Sequence, residues 1–321
     1  MQFEFTGPQN ELEKLFGGHF CINAYGKIES GDDEKFRKFL SQANPPPRTS
    51  IYIDSSGGNV EAAIGIGRLI RSCWFSTAIG SYRLDYGDSS GSLVPRKQVS
   101  GQCMSAATLI FLAGRLRYYD NEAKFGVHQF SFKNPSPSHI GQSQILSAQI
   151  ASYVIEMGVS SEFLEISSST VNEQVNLLSE GELQRLGIIT GGQTTSNWSV
   201  QARGHMLYVR GERDSMYGHH KVMLCYSKSI GFCFWAVIEA QGRERELSNF
   251  SLVEVVINEE EKRINISERS LRHLIGNYVN VFSRITEDEA RLITYSDSFG
   301  VQIRASQEAE MFLGSGLTTN R

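Results

Sequence analysis

Three short segments carry groups suited to acyl-transfer chemistry. Ser105 begins a small and apolar stretch in Gly101-Gln-Cys-Met-Ser-Ala-Ala, and His128 follows in Phe125-Gly-Val-His-Gln-Phe. The turn Ser56-Gly57-Gly58 precedes both segments. A serine hydroxyl becomes a nucleophile only when a base takes its proton, and histidine is the usual base near neutral pH. Two glycines let the backbone approach a ligand closely. Together the segments predict a nucleophile, a general base and a backbone binding turn.

Each segment taken alone also fits a purely structural role. A Gly-Gly pair commonly does no more than close a turn. Serine is a preferred residue at the start of a helix, where its side chain caps the first turn. A single histidine on a strand is often a core residue whose ring is hydrogen-bonded. The chemical interpretation therefore depends on the three segments occurring together and in this order.

The elements that must position these segments alternate between strand and helix patterns along the first part of the chain. Strands are predicted at residues 19–25, 50–54, 74–79, 115–119 and 125–130, and helices at 32–40, 59–71, 106–113, 142–157 and from about 161. Residues 80–98 are predicted as a polar loop. Repeated strand and helix units predict an α/β domain with a largely parallel sheet.

A second domain is expected after the polar join Gly191-Gly192-Gln-Thr-Thr-Ser-Asn197. Beyond it the pattern is mostly of short strands, at residues 198–202, 205–210, 221–225, 231–238, 251–257 and 263–266, with a helix at 267–278. The sequence thus predicts domains at residues 1–193 and 194–321, the second a β-rich α+β domain of unknown role. His219 and His220 are predicted to lie in a surface loop.

Composition excludes several classes of protein. The chain has 321 residues, of which 40% are hydrophobic and 21% charged, with a formal net charge of −4. This balance does not favour nucleic-acid binding, and no apolar run is long enough to span a membrane. No secretory signal is visible, so a cytoplasmic location is expected. The five cysteines form no CxxC pair, so we expect neither a metal site nor a disulfide framework, and no cofactor.

The segments resemble the Clp-peptidase/crotonase superfamily over about residues 18–190. Ile51-Tyr-Ile-Asp-Ser-Ser-Gly-Gly-Asn-Val-Glu-Ala-Ala is similar to that superfamily's strand, Ser-Pro-Gly-Gly turn and helix. The Ser105 and His128 segments resemble the nucleophile and histidine segments of the Clp proteolytic subunit. Leu178-Ser-Glu-Gly-Glu-Leu-Gln-Arg-Leu-Gly-Ile-Ile resembles a late helix of the family. The closer resemblance is to a bacterial Clp-like branch with a cysteine near the serine and an appended C-terminal domain.

The resemblance implies a core of repeated ββα units arranged in a spiral. It also implies that Ser105 is the nucleophile and His128 the general base, with the N–H groups of Gly58 and Ala106 as an oxyanion hole. The implied activity is cleavage of peptide bonds through an acyl-enzyme. Family members assemble into rings, so a homo-oligomer is expected, whereas an unfoldase partner cannot be inferred from the sequence.

One departure from the family pattern concerns the third catalytic residue. The Clp peptidase has an aspartate at the position that Val175 occupies here. The group that orients His128 is therefore expected to be Asn176, Glu173 or a backbone carbonyl, or it is absent. Loss of an orienting acid can lower turnover by about 10⁴-fold. The alternatives are an inactive scaffold that binds partners and, with less support, an acyl-CoA enzyme.

Two further residues near the site have both a chemical and a structural interpretation. Lys124 could act as the base of a Ser-Lys dyad, but it is predicted to be solvated. Cys103 could respond to oxidation, but a free cysteine usually behaves as a small hydrophobic residue, so a buried position is expected.

Overall fold

A computed structural model describes residues 1–15, 19–85, 94–131, 139–259, 261–310 and 312–319. The chain divides into two compact units, Met1–Gly192 and Gln193–Arg321. This division lies one residue before the boundary that the sequence predicts. Among the described residues, no helix combines the length and apolar character needed to cross a membrane.

The first unit is a mixed α/β structure. Its elements in chain order are β1 (Gln2–Thr6), α1 (Glu11–Leu15), β2 (Cys21–Tyr25), α2 (Asp32–Ala43), β3 (Ser50–Asp54), α3 (Val60–Ser72), β4 (Ser76–Ile79), β5 (Ser81–Leu84), β6 (Arg96–Val99), β7 (Gln102–Met104), α4 (Ala106–Leu112), β8 (Arg117–Tyr118), β9 (Lys124–Val127), α5 (His139–Glu156), α6 (Glu162–Ser169), β10 (Asn176–Leu177) and α7 (Glu180–Arg185).

Over the described residues, this unit contains two sheets of three or more strands and one two-stranded sheet, β5-β6. The larger has the order β1-β2-β3-β4-β8, in which β1 pairs antiparallel with β2 and the other neighbours pair in parallel. The smaller has the order β10-β9-β7, with β7 and β9 parallel. The mixed α/β organisation predicted from the sequence is confirmed for this unit.

Burial and capping explain why β3 and α3 form where they do. Ile51 and Ile53 on β3 are fully buried, as expected for a central parallel strand. The Asn59 side chain accepts a hydrogen bond from Ala62 N–H at 2.8 Å and so caps α3. The face of α3 that contains Ala63 and Ile70 packs in the core cluster together with α4. The turn between β3 and α3 is thereby fixed at both ends.

The predicted loop at residues 80–98 is instead a β-hairpin in its described part, and that prediction was wrong. Strands β5 and β6 pair antiparallel from Ser81↔Val99 to Leu84↔Arg96. Arg96 Nη2 also lies 2.8 Å from Glu13 Oε2, and both side chains are largely buried. This ion pair joins the hairpin to α1. Residues 86–93, and the prolines at 135 and 137, lie outside the described residues.

The second unit is built mainly of antiparallel strands. Its elements are β11 (Asn197–Arg203), β12 (Met206–Ser215), β13 (Gly218–Ser227), β14 (Gly231–Glu239), α8 (Glu244–Asn249), β15 (Leu252–Ile257), β16 (Lys262–Asn265), a 3₁₀ helix (Ser267–Arg269), β17 (Ser270–Ile275), β18 (Tyr278–Arg284), α9 (Glu287–Thr294), β19 (Ser298–Arg304) and β20 (Leu313–Thr318). The sheets have the orders β11-β12-β13-β14-β18-β17 and β16-β15-β19-β20. One hydrophobic cluster contains residues from both sheets, including Phe234 and Val255.

The helix predicted at residues 267–278 is wrong, because this segment is a short 3₁₀ turn followed by β17. The Ser267 hydroxyl, interpreted as a helix start, accepts a hydrogen bond from Val253 N–H at 2.9 Å. Strand β17 pairs with β18 along its whole length. The sequence analysis also did not predict α9. Its signal is the capping box formed by Thr286 and Glu289.

Candidate functional site

Ser105 lies between the end of β7 and the start of α4 in an unusual backbone conformation. Its φ is 55° and its ψ is −127°, a region that residues other than glycine rarely adopt. Its N–H donates to Gly126 O at 2.9 Å, and its carbonyl accepts from Thr108 N–H at 3.0 Å and Thr108 Oγ1 at 2.6 Å. Such strain persists where neighbouring structure fixes it, and it is concentrated at functional sites.

The hydroxyl of Ser105 is not used to cap α4. No capping hydrogen bond is made by its side chain. Within the described part of the chain, Ser105 Oγ makes no hydrogen bond at all. The structural alternative, in which this serine is a helix cap, is therefore not what the structure shows. The hydroxyl is available for chemistry.

The turn from Ser55 to Gly58 is held on two sides by backbone hydrogen bonds. Ser55 N–H donates to Gln102 O at 2.7 Å, which joins the turn to β7. On the other side, Ile28 N–H donates to Gly57 O at 2.9 Å. Both glycines have positive φ, 95° at Gly57 and 143° at Gly58. These contacts fix the turn between residue 28 and the strand that leads to Ser105.

Close contacts explain why the turn needs glycine. A Cβ on Gly57 would lie 2.8 Å from Ser105 Cβ and 3.1 Å from Ala106 N. A Cβ on Gly58 would lie 2.1 Å from Ile28 O. The turn therefore packs directly against the serine and the first residue of α4.

The backbone N–H groups of Gly58 and Ala106 in this region have no acceptor among the described residues. Ala106 is the first residue of α4, where N–H groups are unpaired and the helix dipole is positive. Gly58 forms a parallel bridge with Ile28. In this bridge the Ile28 N–H donates to Gly57 O, and the Ile28 carbonyl accepts from Asn59 N–H. The Gly58 N–H consequently points away from Ile28. Donors of this kind can stabilise a developing oxyanion.

His128 follows β9 and is half-buried. Its Nδ1 lies 2.8 Å from the Gln129 carbonyl oxygen. A carbonyl oxygen only accepts, so Nδ1 carries the proton in this bond, and Nε2 of the neutral ring keeps its lone pair. That is the tautomer a general base requires.

Ser105 and His128 line the same cavity, which has a volume of about 530 Å³. Its apolar wall includes Val60, Leu109 and Phe163, and hydroxyl groups are contributed by Thr108, Ser143, Ser147, Ser167 and Ser168. Among the described residues that line it, no lysine, arginine, aspartate or glutamate occurs. Between the described atoms of Ser105 and His128 there is no hydrogen bond.

The residues considered for the third role lie on β10 and just before it. Asn176 pairs with Val127, the neighbour of His128, and its side chain is exposed. Because successive strand residues point to opposite faces, Asn176 shares the face of Val127. Val175 lies on the other face, with Cγ1 2.5 Å from the position of a Cβ on Gly126. Glu173 is exposed. The described contact of His128 Nδ1 is the Gln129 carbonyl, and a role for Asn176 stays a prediction.

Lys124 and Cys103 occupy contrasting environments. Lys124 is exposed at the start of β9, as its solvated interpretation expects. Cys103 is fully buried, and burial raises the pKa of its thiol well above the usual value. Neither side chain lines the cavity that Ser105 and His128 share.

The surface loop predicted at His219 and His220 was wrong, because both residues lie on β13 and are buried. His219 Nδ1 is 2.8 Å from Asp214 Oδ1, and Glu212 lies on the other side of the ring. Burial favours the neutral ring, but hydrogen bonds to these two carboxylates outweigh it and raise the pKa of His219. Over the described ranges, no group of three or more His, Cys, Asp or Glu side chains is arranged to hold a metal ion.

Comparisons with known proteins yield similarities to solved structures. No protein-family model and no curated protein matches the chain. The structure is similar to a ClpP1 point mutant from Listeria monocytogenes, with a TM-score of 0.39 and 20% sequence identity. The match covers 53% of this chain and 88% of that protein. The similarity therefore extends over about half of the chain.

Proposed function

We propose that this chain is a serine hydrolase that cleaves peptide bonds, with Ser105 as nucleophile and His128 as general base. The observation that carries the proposal is the state of Ser105. Its hydroxyl is uncommitted, its backbone is held at a φ of 55°, and it lines one cavity together with His128. The resemblance of the surrounding segments to the Clp proteolytic subunit supports peptides as the substrate class.

In the proposed reaction His128 Nε2 takes the proton of Ser105 as Oγ attacks the substrate carbonyl. The Gly58 and Ala106 N–H groups donate to the oxygen as it becomes negative, and each such donor contributes about 10²–10³ in rate. The C–N bond then breaks, and His128 gives its proton to the departing amine. Water, deprotonated by Nε2, attacks the acyl-enzyme and releases Ser105 with its proton restored.

The Gln129 carbonyl fixes the His128 tautomer but carries no full negative charge. It therefore stabilises the imidazolium less than a carboxylate does, and we expect slower turnover than a Ser-His-Asp triad gives. Asn176 is the proposed alternative partner, which requires a shift of the segment around β10. Ser105 and His128 must also approach each other when substrate binds, as catalytic hydrogen bonds often tighten only in the complex.

A fluorophosphonate probe tests the proposal on the full-length chain, because it reacts with activated serines. We expect wild-type protein to be labelled at Ser105, and Ser105→Ala and His128→Ala to abolish labelling. Ser143→Ala is the matched control, since that hydroxyl lines the same cavity. It should be labelled like wild type. Fluorogenic peptides then test whether labelled protein cleaves peptide bonds.

A non-catalytic scaffold is the second candidate, and two observations favour it. Val175 occupies the position where an acid is expected, and no described hydrogen bond joins Ser105 to His128. Folded wild-type protein that resists the probe would refute the hydrolase and favour the scaffold.

We also propose that the chain forms a homo-oligomer. Helix α5 has exposed isoleucines at 140, 145 and 155, each more than half accessible in the single chain. Exposed apolar side chains are a feature of protein interfaces, and those of α5 support the proposal. Light scattering coupled to size-exclusion chromatography tests this, and a monomer at high protein concentration would contradict it.

A further inference from the structure

Two cysteines face each other in the middle of the six-stranded sheet of the second unit. Cys225 on β13 and Cys233 on β14 are direct cross-strand partners. Direct partners project from the same face of a sheet, so the two thiols are neighbours. Both thiols are free and almost completely buried. No other described pair of cysteines is paired in strand register.

The type of cross-strand pair follows from the next strand. Ile285 N–H donates to Phe232 O at 3.1 Å, so Phe232 turns its backbone groups toward β18. The backbone N–H and C=O groups of consecutive strand residues point to opposite sides, so those of Cys233 point toward β13. Cys225 and Cys233 therefore form a hydrogen-bonded pair, the wider of the two antiparallel types.

This width favours an ion between the sulfurs over a disulfide. Hydrogen-bonded partners have Cα atoms about 5.5 Å apart, which a disulfide tolerates, but their Cβ atoms are near the upper end of about 4.5–5.5 Å. A disulfide needs Cβ atoms about 3.5–4.5 Å apart. Two thiolates that bind one ion at about 2.3 Å each leave their sulfurs up to about 4.6 Å apart.

The surroundings of the pair supply a further soft ligand and a charge. Met223 belongs to the same buried cluster as both thiols, and Met206, Tyr208 and Trp235 are among the residues packed against it. Arg284 is the direct partner of Cys233 on β18. That pair is of the closer, non-hydrogen-bonded type, so the guanidinium can lie beside the sulfur.

We propose that Cys225 and Cys233 form a binding site for a soft monovalent cation of the Cu(I) or Ag(I) kind, with the Met223 thioether as third ligand. Thiolate and thioether ligands select soft ions. Two thiolates and one monovalent cation carry a net charge of −1, which the positive charge of the exposed Arg284 side chain near Cys233 favours. With a divalent ion the two thiolates would form a neutral site that gains nothing from Arg284.

Metal binding at this site releases protons and therefore depends on pH. Burial, followed by the neighbouring Cys233, raises the pKa of the Cys225 thiol to about 11. Burial also raises the pKa of Cys233, and the Arg284 charge opposes that rise. The ion must displace both protons, so its affinity increases with pH.

Ag(I) tests the site without redox chemistry. Reduced full-length protein is titrated with silver nitrate in chloride-free buffer, and native mass spectrometry gives the stoichiometry. We expect one tightly bound Ag(I), with affinity reduced at least about 100-fold in Cys225→Ser and Cys233→Ser, which each lose one of the two thiolates. Met223→Leu should weaken binding less. Cys73→Ser is the control, because Cys73 is a partly exposed thiol of the first unit.

A measurement on wild-type protein removes any dependence on folding of the variants. One equivalent of Ag(I) should protect the peptides that contain Cys225 and Cys233 from alkylation during brief denaturation, and leave those with Cys21, Cys73 and Cys103 reactive. Protection of Cys73 instead, or equal affinity in Cys225→Ser and wild type, would overturn the proposal. Formation of a Cys225–Cys233 disulfide with glutathione disulfide, without Ag(I) binding, would also overturn it.

Discussion

Replacing Gly57 with alanine tests the packing of the glycine turn against the proposed nucleophile. Gly57 has a φ of 95°, and a Cβ added there would lie 2.7 Å from Met104 O and 2.8 Å from Ser105 Cβ. Carbon atoms in contact prefer a separation of at least about 3.5 Å, so one of the two segments must move by about 0.7 Å. The opposite side of the turn is fixed by the hydrogen bond between Ile28 and Gly57. The displacement is therefore expected at Ser105.

Two effects of the substitution can be separated. A left-handed backbone costs alanine about 1–2 kcal/mol relative to glycine, wherever it occurs. A misplacement of about 1 Å at a reacting group can lower a rate about 10²-fold, so a shift of about 0.7 Å predicts a loss of roughly 30-fold. Gly26→Ala isolates the first effect. Gly26 has a φ of 87°, and a Cβ there would meet nothing within 4 Å.

The two variants are compared by their rate of fluorophosphonate labelling and by urea unfolding. Gly26→Ala should label like wild type and lose about 1–2 kcal/mol of stability. Gly57→Ala should label roughly 30-fold more slowly and be less stable than Gly26→Ala. Equal labelling and equal unfolding free energies in the two variants would refute the close packing of the turn on Ser105. The unfolding comparison remains decisive even for a protein that does not react with the probe.

Three further predictions follow from other residues of the structure. Val175→Asp should raise the rate of fluorophosphonate labelling. Asn176→Ala should leave that rate unchanged if the Gln129 carbonyl is the group that orients His128. A tenfold loss in Asn176→Ala would instead assign that role to Asn176. Arg117→Met should lower the urea unfolding free energy by at least about 3 kcal/mol, because the buried guanidinium donates to five backbone carbonyl oxygens; a loss below about 1 kcal/mol would contradict this. The raised pKa of His219 stabilises the fold fully at pH below the unfolded-state pKa of about 6.5, and this stabilisation is lost as pH rises through the folded-state pKa. The unfolding free energy of wild type should therefore exceed that of Asp214→Asn by more at pH near 6 than at pH near 9. A difference that does not change with pH would exclude this linkage.

Local patterns in the sequence were sufficient to predict an element where the burial and the capping of its residues both favour that element. The centre of β3, Ile51-Tyr-Ile53, is apolar, and Asn59 marks the start of α3, where its side chain does cap the helix. The helix predicted at the segment that forms β17 was wrong because the Ser267 hydroxyl accepts a hydrogen bond from Val253 N–H of β15 instead of capping a helix. Tertiary pairing with β18 then decided its conformation.

The residues of the candidate site could be predicted from the sequence, but their geometry could not. Residue types and order indicated Ser105 and His128, but not the positive φ of the serine, which depends on hydrogen bonds to Gly126 and Thr108. The hydrogen bond between His128 and the Gln129 carbonyl has no side-chain signal. His219 was misassigned for a related reason, since its burial depends on Asp214 across the strand pair.

The two-sided anchoring of the glycine turn bears on when the site can exist during synthesis of the chain. The turn is held by Ile28 on one side and by β7 on the other, and Ser105 is itself fixed by Gly126 of β9. No short stretch of sequence contains all of these contacts. A nascent chain therefore lacks the arrangement until the segment around His128 has left the ribosome and β9 has paired with β7. Folding of the first unit thus acts as the activation step, and a chain truncated before residue 120 would carry the serine without a site.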